Sequence, residues 1–231
     1  MRVGNAARVL AIAVLVALVG VGPVPGALDD VPQLQTIVES IRPGGSCVTP
    51  TGSNDSGISE VYRLPAGGLT YRINLGSLPS GLSAAAVARA IDGAAAAWVT
   101  AGASPLTNGG TTTRKAGGKA DGINTISFGG APGGSIAVAY MWVRSGVVVE
   151  ADMSLAKGFN WTSNEGASGD CSGASGNMDV QDIATHELGH WVGAQHTPTA
   201  AEYNHRTMYP YASYQELYKR SLSAGDIASI P

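Results

Sequence analysis

Thr185-His186-Glu187-Leu188-Gly189-His190-Trp191-Val192-Gly193-Ala194-Gln195-His196 carries three of the chain's four histidines. Four residues along a helix is a rise of about 6 Å and slightly more than one turn. His186 and His190 therefore lie one above the other on a single face, able to share a metal ion. Glu187 points to the side, placed to act on water at the metal rather than to bind the metal. In a continuous helix His196 would sit about 240° around from His190 and roughly 9 Å further along. For it to join, the chain must turn back. Gly193 lies where that turn is needed, since glycine takes positive φ at little cost and commonly ends helices. The bland alternative, three histidines with ordinary hydrogen bonds, leaves this spacing of His, Glu, Gly and His unexplained.

Outward from this stretch, Asp179 reads as the N-cap of the metal helix, with Asp182 in its first turn where negative charge suits the helix dipole. A second helix is predicted from the N-cap Ser83 to about Thr100, with Val87, Ile91 and Trp98 as its buried stripe and Gly102 as its stop. Leu69 to Ile73 alternates apolar and polar, as a half-buried strand does. Three more strands are expected over 123–128, 135–144 and 147–155, the last two joined by a turn at Ser145-Gly146. In the last, Val147, Val149, Ala151, Met153 and Leu155 share one face, and Glu150, Asp152 and Ser154 the other. That acidic face reads as solvated; calcium binding is the alternative, which nothing else in the sequence supports. Residues 108–122 and 156–178 read as loops, the first solvated. Residues 28–57 show little periodicity and many Pro, Gly and Ser positions, as an extension pinned at Cys47 would. Strands first and the main helix late point to an α+β domain.

The chain has 231 residues, 44% hydrophobic and 13% charged, with 32 glycines, enough for one domain with a real core and many turns. A formal net charge of −3 and the absence of any basic run argue against nucleic acid as a partner. Arg2 and Arg8 precede the apolar run Val9 to Val19, and small residues follow at Gly26-Ala27. This is the pattern of a secretory signal peptide over 1–27, cut after Gly26 or Ala27. The run is shorter than the roughly 20 apolar residues of a membrane-spanning helix, so no membrane anchor is expected after cleavage. Two cysteines, Cys47 and Cys171, then enter an oxidising compartment, where an even count favours a disulfide. The rival reading makes Cys47 a free thiolate that caps the metal and keeps a precursor silent.

His186 to His196 followed by Thr207-Met208-Tyr209-Pro210 resembles the matrixin branch of the metzincins, the matrix-metalloproteinase-like zinc peptidases. Leu69 to Ile73 resembles their first strand, Ile136 to Tyr140 their substrate-side edge strand, and Ser223 to Ile230 the start of their last helix. The resemblance implies a metzincin-like catalytic domain over 66–231: a twisted mixed sheet, a helix in the N-terminal half, the zinc helix, a Met-turn and a short C-terminal helix. It leaves 28–65 as an N-terminal extension or short pro-segment. Three departures narrow it. Val138 and Asp152 stand where the animal members hold a second zinc with histidines. Arg42-Pro43-Gly44-Gly45-Ser46-Cys47 does not match their Pro-Arg-Cys-Gly latency motif. Pro210 occupies the position where other metzincins carry a zinc-binding tyrosine.

By that resemblance the chain is a secreted, monomeric zinc endopeptidase acting on protein or peptide substrates. His186, His190 and His196 bind one Zn2+, and Glu187 is the general base toward zinc-activated water. Met208 packs beneath the metal, as a poor ligand would. A peptide would pair along the edge strand at Ala137, Ala139 and Tyr140. Tyr211 and Tyr214, with Leu217 and Tyr218, would wall the pocket for the side chain after the cut. His205 reads as a surface loop residue. Two rivals remain at this level: a secreted zinc-containing binding protein, and a hydrolase of cell-wall peptides.

Overall fold

A computed structural model describes residues 31–56, 58, 61–164 and 166–231. The signal peptide expected over 1–27 lies outside them. In chain order the strands are β1 (Gln33–Ser46), β2 (Leu69–Ile73), β3 (Leu106–Thr111), β4 (Asn124–Gly129), β5 (Ala137–Arg144), β6 (Val147–Ala156), β7 (Trp161–Thr162), β8 (Met178–Asp179) and β9 (Tyr211–Tyr214). The helices are α1 (Ala84–Thr100), α2 (Val180–Val192) and α3 (Ala224–Ile227). Seven strands form one mixed sheet in the order β3-β2-β4-β6-β5-β1-β9, and β7 pairs with β8 apart from it. The α+β class and the matrixin-like arrangement of strands, metal helix and short last helix are as the sequence implies.

Local rules account for most elements. In β2 the alternation becomes a strict buried–exposed pattern. The Ser83 hydroxyl caps α1 by accepting the Ala86 N–H. Val87, Ala90, Ile91, Ala94 and Trp98 then form a continuous buried stripe. α1 and α2 pack together, tied where Trp98 Nε1 donates to the Thr185 carbonyl at 2.7 Å. Ser145 and Gly146 both take positive φ, the turn that a tight hairpin between β5 and β6 demands. Among the described residues, no helix is long and apolar enough to cross a membrane.

Three expectations change. The stretch taken as an extension without periodic structure contains β1, a full member of the sheet. It lies antiparallel to β5, with Glu39 opposite Ala137 and Thr36 opposite Tyr140, and parallel to β9. Half-exposed along most of its length and containing Pro43, Gly44 and Gly45, it carries no alternation to reveal it. The loop expected over 108–122 begins inside β3, an edge strand.

The acidic face of β6 is not solvated. Glu150 and Asp152 are buried and take backbone N–H groups of the overlying loop and of β4: Asp121 and Gly122 on Glu150, Gly117 and the β4 residue Thr125 on Asp152, all at 2.7 Å. Burial pushes Asp152 up to about 7 against those hydrogen bonds. These carboxylates serve as anchors for the loop. A register shift between Trp142 and Val143 also reorients the start of β6, burying Val148 and exposing Val149. His205 lies in a partly exposed turn, as expected, with its Nε2 3.1 Å from Asp55 Oδ1.

Candidate active site

The metal helix α2 begins at Asp179, whose carboxylate accepts the Asp182 N–H at 2.9 Å. It ends at Gly193 with φ of 111°. A side chain there is doubly excluded, since a Cβ would also lie 2.1 Å from the Tyr62 carbonyl oxygen. The chain folds back as predicted, and the Nε2 atoms of His186 and His190 lie 3.1 and 3.2 Å from that of His196.

On the far side of each ring, His186 Nδ1 is 2.7 Å from the Thr207 carbonyl and His190 Nδ1 is 2.9 Å from the Ala194 carbonyl. A carbonyl only accepts, so both rings carry their proton on Nδ1 and turn a lone pair inward. Those two lone pairs converge on His196 Nε2, where a single proton could serve only one of them at a time. A cation satisfies them together, and the separations suit ligands about 2.0–2.1 Å from a shared zinc ion. Burial, reinforced by the charge of Lys219, holds His186 well below the usual imidazole range. Burial likewise pushes His190 down to about 4 and His196 to about 2. All three are neutral at neutral pH, as metal binding requires.

Below the histidines, Thr207 and Met208 belong to a turn closed by the Tyr209 N–H on the Arg206 carbonyl at 3.1 Å. Met208 is fully buried. It packs against α2 where Gly189 leaves room: a Cβ on Gly189 would lie 2.3 Å from Met208 Sδ and 2.6 Å from Trp98 Cζ2. Gly189→Ala is therefore expected to lower stability by about 1–3 kcal/mol through overpacking. It should also weaken metal affinity by displacing Met208 and the Thr207 carbonyl that holds His186. Thermal melting and a zinc titration check this; a variant unchanged in both would refute the close-packing argument.

A family model described as Matrixin matches residues 65–231. The chain belongs to the matrixin family. Comparison with curated proteins finds no match.

In this matrixin, Glu187 is fully buried and neither of its carboxylate oxygens has a hydrogen-bond partner. Burial, and then the charge of Glu39, raises its pKa well above the usual carboxylate range, with Lys219 opposing. A raised carboxyl pKa suits a base that works near neutrality.

The residues expected to take substrate lie on the two strands that flank β1. Ala137, Ala139 and Tyr140 are covered by β1, so this edge is not open: the chain's own residues already occupy it. Tyr211 and Tyr214 lie half-buried on β9, on the other side of β1. Cys47 and Cys171 are joined in a disulfide, which removes the thiolate reading.

Sequence reasoning missed two further groups. One is the buried pair of Glu39 and Lys219, whose Nζ donates to Glu39 Oε1; that same carboxylate oxygen lies 3.6 Å from His186 Nδ1. No local pattern marks it, because the partners are 180 residues apart. The other is Asp226 beneath the Met-turn, where it meets Arg206 Nε at 3.1 Å and the Thr207 N–H at 2.9 Å. The sequence Ser223-x-x-Asp226 did hold a signal for it, since these residues form a capping box at the start of α3.

Proposed function

We propose that this matrixin is a secreted zinc-dependent endopeptidase that hydrolyses peptide bonds of proteins, with Glu187 as the general base. The observation that carries the reading is a partnerless buried carboxyl, Glu187, beside three imidazoles whose lone pairs converge on one point. When bound there, zinc supplies Lewis-acid polarisation of a carbonyl and acidification of water. The chain's own groups do the rest. His186, His190 and His196 hold the ion as neutral ligands, with the first two fixed in tautomer by Thr207 and Ala194. Glu187 accepts a proton from the attacking water and returns it to the departing amine. Secretion is supported by the pattern of residues 1–27 and by the disulfide, which persists in oxidising compartments. A zinc-containing binding protein would have no use for an unpaired buried acid at this place, which costs stability without turnover to offset it.

The test is an assay of the full chain, loaded with zinc, against casein, synthetic peptides and cell-wall peptides. Cleavage of polypeptides is expected, lost in a chelator and restored by added zinc. The chelator should also lower the melting temperature, since a ligand bound only to the folded state stabilises it. Activity surviving complete metal removal would overturn the reading. Turnover of cell-wall peptides alone would replace it with the narrower hydrolase, and no turnover of any substrate with a binding protein.

A further inference from the structure

β1 runs through the cleft between β5 and β9, antiparallel to the first and parallel to the second. On one side Ile136 donates its N–H to the Glu39 carbonyl at 2.9 Å; on the other the Ser40 N–H donates to the Pro210 carbonyl at 3.2 Å. An extended peptide taken up by strand addition would make bonds of this kind. Here the strand passes beside Glu187: a carboxylate oxygen of Glu39, a carboxylate oxygen of Glu187 and a ring nitrogen of His186 lie within 4.8 Å of one another.

Glu39 is the one fully buried residue in the fourteen of β1; Ile37, Val38 and Ile41 are only half-buried. The backbone ladders to β5 and β9 and the packing of Ile37 and Ile41 hold the strand, and the one side chain it buries completely is an acid. The Glu39 carboxylate meets the ammonium of Lys219, itself fully buried, which donates also to the Tyr209 carbonyl at 2.8 Å. Two other acids face this ammonium. Glu216 Oε1 is 3.9 Å away, and Asp182 takes the Lys219 backbone N–H at 2.9 Å. Of these acids Glu39 makes the shortest contact, and its side chain is the one that accepts a hydrogen bond from the ammonium. A buried ammonium without an anion is costly. A site built around a polar contact also rejects ligands that cannot make it.

We propose that Lys219 makes the pocket beside Glu187 selective for an acidic side chain directly after the cut, and that the chain presents its own Val38–Glu39 bond there as a first substrate. This rests on the peptidase reading above. In the step, the oxygen of water bonds to the Val38 carbonyl carbon and the bond to the Glu39 nitrogen breaks. One proton of the water passes through Glu187 to that nitrogen, leaving a carboxyl-terminal Val38 and a new amino terminus at Glu39.

The experiment has two arms on the full, zinc-loaded chain. Mass spectrometry of the protein after incubation should show a terminus at Glu39 in the wild type and none in Glu187→Gln. Matched peptides carrying Glu, Gln or Lys after the scissile bond are then compared with the wild type and with Glu39→Lys, which repels Lys219 and frees the cleft. The Glu peptide should be preferred over Gln by about 30-fold or more in kcat/KM. Lys219→Met should erase that preference, so that whatever its overall rate it cleaves the Glu and Gln peptides with equal kcat/KM. Thermal melting establishes that each variant folds. Should Lys219→Met fail to fold, the Glu-over-Gln ratio in the other two proteins decides alone. Peptides cleaved without acidic preference, or an intact Val38–Glu39 bond beside active cleavage of peptides, would overturn this inference and leave the peptidase standing. No cleavage by any form would overturn both.

Discussion

Glu187→Gln is expected to lower kcat/KM for peptide hydrolysis by about 10³- to 10⁴-fold, at the upper end of what general acid–base catalysis contributes. The reason is local. Glu187 is the carboxyl beside the converging histidines, and neither of its oxygens has a hydrogen-bond partner. The substitution keeps the side chain's shape and removes its basicity. His186 and His190 keep their backbone partners, so zinc content should stay at the wild-type level. Stability should be unchanged or slightly higher, because a group disposed to ionise leaves a fully buried position. Kinetics, metal analysis and thermal melting of the two proteins together check this. Activity within tenfold of wild type, with zinc retained, would mean that another group serves as the base.

Asp226→Ala should produce the largest loss of stability. This fully buried carboxylate accepts from Arg206 Nε at 3.1 Å and from the backbone N–H groups of Thr207, Met208 and Ser223 at 2.9, 3.3 and 3.0 Å. The Ser223 hydroxyl also donates to it, at 2.8 Å. Arg206 is buried as well, so truncation strands a charge, a loss of about 3–5 kcal/mol. For a domain of this size that corresponds to a fall of roughly 6–20 °C in Tm. The damage should reach the metal centre, because the Thr207 that loses its anchor also supplies the carbonyl that fixes His186. Arg206 further donates to the carbonyls of Asn54 and Ser56, so the segment before β2 should loosen too. Zinc affinity and Tm should fall together; a large drop in Tm with unchanged zinc affinity would separate the turn from the site and refute that link.

Around α2 the sequence was informative because the relevant forces act within one or two helical turns. The His186–His190 spacing, the Asp179 cap and the break at Gly193 each depend on neighbours fewer than ten residues away. The stripe of α1 and the alternation of β2 are of the same kind: one face buried, and a period that shows it. The acids of β6 were misread for the opposite reason. Glu150 and Asp152 alternate with apolar residues as solvated acids would, yet their partners are N–H groups of a loop about 30 residues earlier. Burial of a polar group leaves no mark in a pattern when the satisfying donors are backbone.

What the sequence determined by itself was the donor set: three neutral nitrogens and an adjacent carboxyl on one helix and its return, with a Met-turn to support them. Only the tertiary structure decided what lies in the cleft. β1 has no period because it is half-exposed along most of its length, and its one buried residue is a glutamate whose partner, Lys219, arrives from near the other end of the chain. An ion pair of that separation is decided by which strands meet, and that is a property of the folded sheet.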